Sequence, residues 1–392
     1  MGIGEPMRRA ADGFALWQLG FRPFFLLASI FAALSVPLWA LQFSGWLVHP
    51  YLLGSLWHAH EMLFGFTLAV VTGFLLTAGH NWTKRPTPTG PLLALLALLW
   101  VAGRVLVLTP WGWAAAVANV AFPLATALAL AIPFIGAGNR RNYFFLGLLL
   151  LMGIAAAVVH LDHLGVTRLP GWLGVQLALD VVLFIMAVMA GRVVPMFTNN
   201  GVPGAGAACQ PMLEKAALAS LLLLPLADAL QTHGPWMLLL AMAAAAAHLA
   251  RWLLWRPWKT LHAPLVWVLH AAYLWIPLHL ALRGLAEIGW VSPSMAIHAL
   301  TVGAAGGLII GMMTRTARGH TGRRLHADRW DTTCYGLINA AAVTRVAVPH
   351  LAPQWTVEAV LCSAALWSAG FGLYAIRYWP ALTRARVDGR PG

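Results

Sequence analysis

The stretch WHAHEMLFGFTLAVVTGFLLTAGH, residues 57–80, sets the character of the chain. Its apolar run is about as long as the roughly 20 residues that a helix needs to cross the hydrocarbon layer of a membrane. It nevertheless opens on two histidines and a glutamate, His58, His60 and Glu61. Ionisable side chains are costly in lipid and mark functional positions there. The segment therefore predicts a membrane-spanning helix with a polar site at its beginning.

The rest of the chain has the same apolar character. Of its 392 residues 60% are hydrophobic and only 9% are charged, which excludes a water-soluble protein. We expect an all-α, polytopic membrane protein with a single transmembrane domain, residues 21–380, between a cytoplasmic N-terminal segment, 1–20, and a basic cytoplasmic tail, 381–392. Apolar runs predict about twelve transmembrane helices, at residues 21–43, 52–78, 91–108, 114–135, 143–159, 172–194, 216–230, 236–255, 264–282, 292–313, 333–348 and 355–379.

Lysine and arginine concentrate in alternate loops. This bias predicts that the N-terminus and the C-terminus both face the cytoplasm, because cytoplasmic loops carry the excess of basic residues. The predicted outer side holds only Arg104, Arg168, Arg283 and Arg345. The net charge of +13 then reports orientation in the lipid bilayer, and no nucleic acid is expected as a partner. Three scattered cysteines do not suggest a disulfide framework or a CxxC site.

Histidines are frequent for so apolar a chain, and most of the 15 lie near the predicted outer ends of helices, His49 among them. Two residues apart on a helix, His58 and His60 point about 200° away from each other and should serve different partners. His58 and Glu61 share a face, which suits a carboxylate that orients an imidazole. The alternative is a hydrogen-bonded cap at the start of a helix.

Predicted helices two and ten carry a similar pattern. His58 is followed by Gly79-His80 and His298 by Gly319-His320, with a separation of 22 residues in both cases. Both helices run from outside to inside, so His58 and His298 should lie at equal depth near the outer face. Two such imidazoles suit the axial positions of a heme iron, or two ligands of a copper ion. A chance match of spacing is the alternative.

Other features point to packing or to further sites. His248 and His270 lie deeper, on predicted helices eight and nine, and could face each other. Glycines at four-residue spacing in helix ten, Gly303, Gly307 and Gly311, predict the close approach of another helix. The basic segment 314–324 is either an ordinary cytoplasmic loop or a site for an anion or a heme propionate.

Three motifs carry a family resemblance: WHAHEMLFGF (57–66), AGRVVPMFTNNG (190–201) and HALTVGAAGGLIIGMMTRTARGHTGRRL (298–325). In these the chain resembles the NnrS family of bacterial inner-membrane proteins. The resemblance implies a twelve-helix protein that carries heme b and copper and is associated with nitric oxide metabolism, denitrification and protection against nitrosative stress. The histidine-bearing motifs of the family correspond here to His58, His60, Glu61, His248, His270, His298 and His320.

The leading hypothesis is a redox-active heme and copper protein, with nitric oxide or a related small molecule as its partner and no indication of its electron donor. His58 and His298 are the candidate heme ligands, and His60 with Glu61 would contribute to a nearby metal. His248 and His270 are candidates for a second site, and an NO-linked oxidoreductase is the enzymatic interpretation. The rival is a secondary transporter, in its strongest form a copper permease with soft methionine ligands at Met186, Met189, Met196, Met312 and Met313.

Overall fold

The computed structural model describes residues 13–46, 51–52 and 54–390. Part of the predicted N-terminal segment, residues 1–12, therefore lies outside the described residues, as does His49. The described chain folds into long helices that match all the predicted segments. They are α1 (Phe21–Phe43), α2 (Gly54–Thr83), α3 (Gly90–Leu106), α4 (Gly112–Gly136), α5 (Phe144–His163), α6 (Gly171–Gly201), α7 (Pro211–Ala229), α8 (Pro235–Leu254), α9 (Pro264–Glu287), α10 (Pro293–His320), α11 (Arg329–Leu351) and α12 (Thr356–Thr383).

The all-α prediction is confirmed, and the chain is a polytopic membrane protein. Within the described ranges, nine helices are long and apolar enough to cross a membrane. The other three long helices are α3, α7 and α11. Helix α3 has only 17 residues, while α7 carries Glu214 and Lys215 in its first turns and α11 opens on Arg329 and Asp331. That all twelve helices cross the membrane stays a prediction.

Proline and capping residues set where many helices begin. Helices α7, α8, α9 and α10 each start on a proline, whose fixed φ fits the first helical turn and whose missing N–H would have no partner there. Helix α11 begins with a reciprocal capping box between Asp328 and Asp331. The sequence thus encodes the helix starts locally, and packing determines only how the helices are arranged.

The two ends of the described chain meet. The amide of Ala15 donates to the carbonyl of Thr383 at 2.7 Å, and the amide of Ala385 donates to Gly13 at 3.2 Å. We call this the inner end of the bundle, and the opposite end, where α2 and α10 begin, the outer end. Both described ends of the chain therefore lie on one side, as the predicted topology requires.

Helices α2, α6 and α10 lie centrally in the bundle. Helix α2 contacts α1, α3, α4 and α6, while α10 packs between α9 and α11. The predicted glycine ladder lets α9 approach α10, because a Cβ at Gly303 would lie 2.3 Å from Trp275 and one at Gly307 would lie 2.6 Å from Ala272. The prediction of close packing at these glycines is confirmed.

Two of these central helices change their winding near their histidine-bearing ends. Helix α2 is π-helical over Glu61–Thr67, directly after His60, and α10 is π-helical over Ala299–Gly306, directly after His298. Segments of π-helix are rare and occur frequently at functional sites, because they realign side chains relative to the ordinary helical periodicity. The histidine-bearing ends of α2 and α10 thus share a local backbone feature as well as a sequence pattern.

Candidate functional site

A cavity of about 520 Å³ lies near the outer end of the bundle, between α1, α2, α6, α10, α11 and α12. Its walls are mainly aliphatic and aromatic side chains from these helices. Among its few polar lining groups are the imidazoles of His58 and His298 and the guanidinium of Arg345. An apolar cavity with a few convergent polar groups is the usual form of a site for a small molecule or a cofactor.

His58 and His298 lie side by side at the outer end, in agreement with the equal depth that the matching patterns predict. Their ring centres lie 6.5 Å apart and the ring planes differ by only 10°. Two imidazoles on opposite sides of one metal ion, each with a metal–nitrogen bond of about 2 Å, place their ring centres roughly 6 Å apart. The distance between the ring centres therefore leaves room for one ion between the two imidazoles.

The hydrogen bonds of His58 and His298 leave one nitrogen atom of each ring without a partner in the described part of the protein. Nδ1 of His298 lies 2.7 Å from the carbonyl oxygen of Ser294, which can only accept, so this nitrogen carries the proton and Nε2 keeps its lone pair. The buried Nδ1 of His58 has no hydrogen-bond partner among the described residues. Trp39 stacks on the His58 ring at 4.9 Å and restricts its orientation. These are oriented imidazoles with unused nitrogen atoms.

His60 points elsewhere, into a charged network between α2, α3 and α4. Its Nδ1 donates to Glu61 at 2.8 Å, and Arg104 donates to the same carboxylate oxygen at 2.6 Å. Arg104 also donates to the side-chain oxygen of Asn119. The expected orienting carboxylate is therefore present, but it holds His60, the adjacent residue, whereas the spacing suggested His58. Arg104 balances the negative charge.

The other nitrogen of His60 meets a histidine from α5. Nε2 of His60 lies 3.0 Å from Nε2 of His160, and Nδ1 of His160 lies 2.9 Å from the hydroxyl of Tyr51. Because Glu61 fixes the proton of His60 on Nδ1, its Nε2 offers a lone pair toward His160. Two nitrogens bound side by side to one ion at about 2 Å each lie about 3 Å apart. This second pair can therefore hydrogen bond or share a metal ion.

Each pair supplies two imidazoles and no more. In the part of the chain that the structure describes, no group of three or more His, Cys, Asp or Glu side chains is arranged to hold a metal ion. A structural zinc site would need such a closed set, usually of four ligands. A heme iron takes only its two axial ligands from the protein. The outer histidines thus fit a heme or an open copper site better than a closed structural site.

The comparison with protein families identifies the family of the chain. The model of the NnrS protein family matches residues 15–386. The chain belongs to the NnrS family. The match includes both outer histidine pairs and confirms the resemblance carried by the three motifs. No curated protein matches the chain significantly.

His248, a predicted member of a second site in this NnrS chain, is fully hydrogen bonded. Its Nδ1 lies 2.6 Å from the hydroxyl of Tyr273, and its Nε2 lies 3.0 Å from the carbonyl oxygen of Ala217. Arg251 adds hydrogen bonds to Tyr273 at 3.1 Å and to Glu214 at 3.0 Å. With both nitrogens used, His248 has the contacts of a residue that joins α7, α8 and α9.

His270 contacts different partners. Its Nε2 lies 2.8 Å from the hydroxyl of Thr198, which itself donates to the carbonyl oxygen of Val194. The hydroxyl therefore accepts from His270. The buried Nδ1 of His270 has no hydrogen-bond partner in the described chain. A ligand role for His270 stays a prediction, and the contacts of His248 favour a structural role for that residue.

A polar cavity of about 360 Å³ lies beside the first one, between α6, α7, α9 and α10. Arg283 pairs there with Asp228 and lies 3.8 Å from Asp180. Nδ1 of His279 donates to the carbonyl oxygen of Ala296 at 2.8 Å. His320, from the family motif at the end of α10, lies at the inner end against Phe21. Neither histidine joins the two outer pairs.

Several site residues escaped the sequence analysis. His160 was one of many outer histidines, and Tyr51 was not distinguished at all. Arg104 and Arg345 counted only as exceptions to the charge bias of the loops. One signal was available: a charged residue within an apolar helix on the less basic side of the membrane needs a partner. Arg104 has that partner in Glu61, in the same network as His60.

Proposed function

We propose that this NnrS protein is a heme and copper protein of nitric oxide metabolism, active in denitrification or in protection against nitrosative stress. The family is associated with the nitric oxide response. The observation that carries the proposal is the parallel pair His58 and His298 on the wall of an apolar cavity of about 520 Å³. Heme and copper, when bound, supply one-electron redox chemistry.

We assign heme b to the cavity between His58 and His298. Support comes from the ring separation of 6.5 Å, from the unused nitrogens and from the apolar walls. The carbonyl oxygen of Ser294 fixes the tautomer of His298, and stacking on Trp39 fixes the ring of His58. Such orientation by neighbouring groups strengthens ligand binding. With both imidazoles holding the iron, the group bound here would supply one-electron transfer.

We assign copper to His60 and His160. Imidazole suits copper, and the 3.0 Å between the two Nε2 atoms fits neighbouring ligands of one ion. Glu61 acts here as the group that orients His60 rather than as a metal ligand, because its carboxylate already accepts from His60 and Arg104. Binding of the ion requires His160 to carry its proton on Nδ1, next to the hydroxyl of Tyr51. The two protein ligands leave further positions open to exogenous molecules.

The location of the sites suits an uncharged gas. We propose a bacterial inner-membrane protein with twelve spans and cytoplasmic termini, in which both pairs lie toward the outer face. The meeting of the two described chain ends supports an even number of crossings. Nitric oxide crosses lipid without a polar channel, so it reaches this depth directly from the bilayer.

The test is the composition and the visible spectrum of the purified protein. Protein produced in cells supplied with heme and copper is expected to show a reduced-minus-oxidised spectrum of b type, with iron and copper in simple ratios to the chain. Colourless protein without metal would overturn the proposal. That result would favour the rival interpretation, a transporter or a copper permease.

A further inference from the structure

Arg345 differs from the other helical arginines of the outer end in its hydrogen-bond partners. Three arginines lie within helices there: Arg104, Arg283 and Arg345. Arg104 pairs with Glu61, and Arg283 pairs with Asp228. No carboxylate of the described residues pairs with Arg345; its guanidinium donates only to the hydroxyl of Ser294, at 3.3 Å. A cation in an apolar helix needs a counter-charge, because the desolvation of a lone charge is costly.

The position of Arg345 shows where this counter-charge would come from. Its side chain lines the cavity that holds His58 and His298. It also lines a smaller cavity of about 150 Å³, formed with Ser292, Met295 and His350 near the outer end of α11. Arg345 therefore stands at the outer margin of the larger cavity. A molecule in that cavity can extend an anionic group toward this margin while its body stays among apolar side chains.

We propose that Arg345 binds the carboxylates of the molecule held between His58 and His298. The ligand class is a flat, largely apolar metalloporphyrin with carboxylates along one edge. A planar guanidinium recognises carboxylates with two parallel hydrogen bonds, which a single ammonium group does not match. This inference rests on the heme site proposed above and adds the direction of the ligand, with its carboxylate edge at the outer margin.

A second contact connects Arg345 to the histidine pair. The hydroxyl of Ser294 lies 3.3 Å from Arg345 and 3.2 Å from Nδ1 of His298. One serine thus lies between the carboxylate-binding group and a candidate axial ligand. Arg345 is therefore a positioning residue that acts on the edge of the ligand, while His58 and His298 act on its centre.

The experiment compares two porphyrins that differ only in their carboxylates. Heme-depleted protein is titrated with ferric protoporphyrin IX and with its dimethyl ester, in which both carboxylates are blocked. Wild-type protein is expected to bind the free acid about 10-fold to 100-fold more tightly, which corresponds to the value of a charged hydrogen bond. Arg345→Gln should bind both porphyrins with similar affinity, and Arg345→Lys should keep part of the preference.

The matched control is Arg168→Gln, which removes an exposed arginine from the loop before α6. It should keep the wild-type preference. A wild-type protein without preference, or an unchanged preference in both Arg345 variants, overturns the role of Arg345. The heme site itself fails separately, if wild-type protein binds neither porphyrin or if His58→Ala and His298→Ala bind the free acid as wild type does. If Arg345→Gln does not fold, the reduced preference of Arg345→Lys decides.

Discussion

The outer pair His58 and His298 and the deeper His248 have opposite surroundings. His58 and His298 lie on the wall of a cavity, and each has a nitrogen without a protein partner or with a free lone pair. His248 is buried between helices, and both of its nitrogens are hydrogen bonded. Both histidines of the first pair and His248 sit within apolar helices, so burial alone does not separate them.

This difference in hydrogen bonding indicates which buried histidine can bind a ligand. A metal ligand must offer a lone pair toward open space, whereas a structural histidine uses both nitrogens within the protein. Arginine follows the same rule: Arg251 is satisfied by Glu214, Tyr273 and Ala187, while Arg345 faces the cavity without a carboxylate. Satisfied groups such as Arg251 join neighbouring helices, and groups with an unused polar atom beside the cavity are the candidates for ligand binding.

The largest expected effect is the loss of heme from the outer pair. His58→Ala or His298→Ala should each remove nearly all bound heme, because a single imidazole leaves one axial position without a protein ligand. The reduced-minus-oxidised spectrum per folded protein measures this loss. The matched control is His248→Ala, which deletes a buried imidazole of the deeper group and should keep the heme. Retention of heme by both outer variants would contradict the assignment.

A second effect separates the two outer pairs. His60→Ala or His160→Ala should remove the bound copper and leave the heme spectrum in place, since these rings face each other rather than the larger cavity. Copper per chain, measured by elemental analysis, tests this. His163→Ala is the control on the same helix, because this ring lies edge-on to Tyr51 at 4.5 Å and belongs to neither histidine pair. Loss of heme together with copper would mean that the pairs form a single site.

A substitution in the network around His248 should lower the stability of the protein and leave its metal content unchanged. Arg251→Met removes the cation that pairs with Glu214 at 2.8 Å, and Arg251 itself is only 1% exposed. Glu214 is 23% exposed, so the loss of this half-buried pair and of the hydrogen bonds to Tyr273 and Ala187 should destabilise the protein by about 2 kcal/mol. We expect a lower melting temperature in detergent and an unchanged ratio of heme to folded protein. A variant that melts like wild type but lacks heme would place this network in the site.

The sequence predicted the scaffold well because helix period and helix starts are local properties. Each predicted apolar segment became a helix, and prolines such as Pro264 and Pro293 mark the starts. The proximity of His58 and His298 at the outer end agrees with the sequence, because two helices of the same direction place equivalent residues at equal depth. Helices α2 and α10 also share a π-helical segment, after His60 and after His298, which the composition did not predict.

Contacts between residues that lie far apart in the sequence were harder to predict. His160 lies 100 residues from His60 along the chain, and nothing in the spacing joins them. The partner of Glu61 was misassigned because the carboxylate sits at the junction where α2 becomes π-helical, so ordinary three-residue spacing no longer describes its neighbours. Deep pairing of His248 with His270 was suggested by equal depth, but equal depth does not fix the direction in which a ring points.

The smallest expected effect comes from removing a single hydroxyl from the network around His248. Tyr273→Phe removes one hydroxyl, which lies 2.6 Å from Nδ1 of His248 and 3.1 Å from Arg251. The buried Nδ1 of His248 loses its partner while Arg251 keeps its other hydrogen bonds, so we expect a loss of about 1 kcal/mol in the free energy of unfolding. Tyr51→Phe is the matched change at the outer end, where the hydroxyl meets His160. Only Tyr51→Phe should change copper affinity, because only there does the hydroxyl contact a ring to which we assign copper. An equal change in both variants would contradict the distinction between the outer pair and the deeper network.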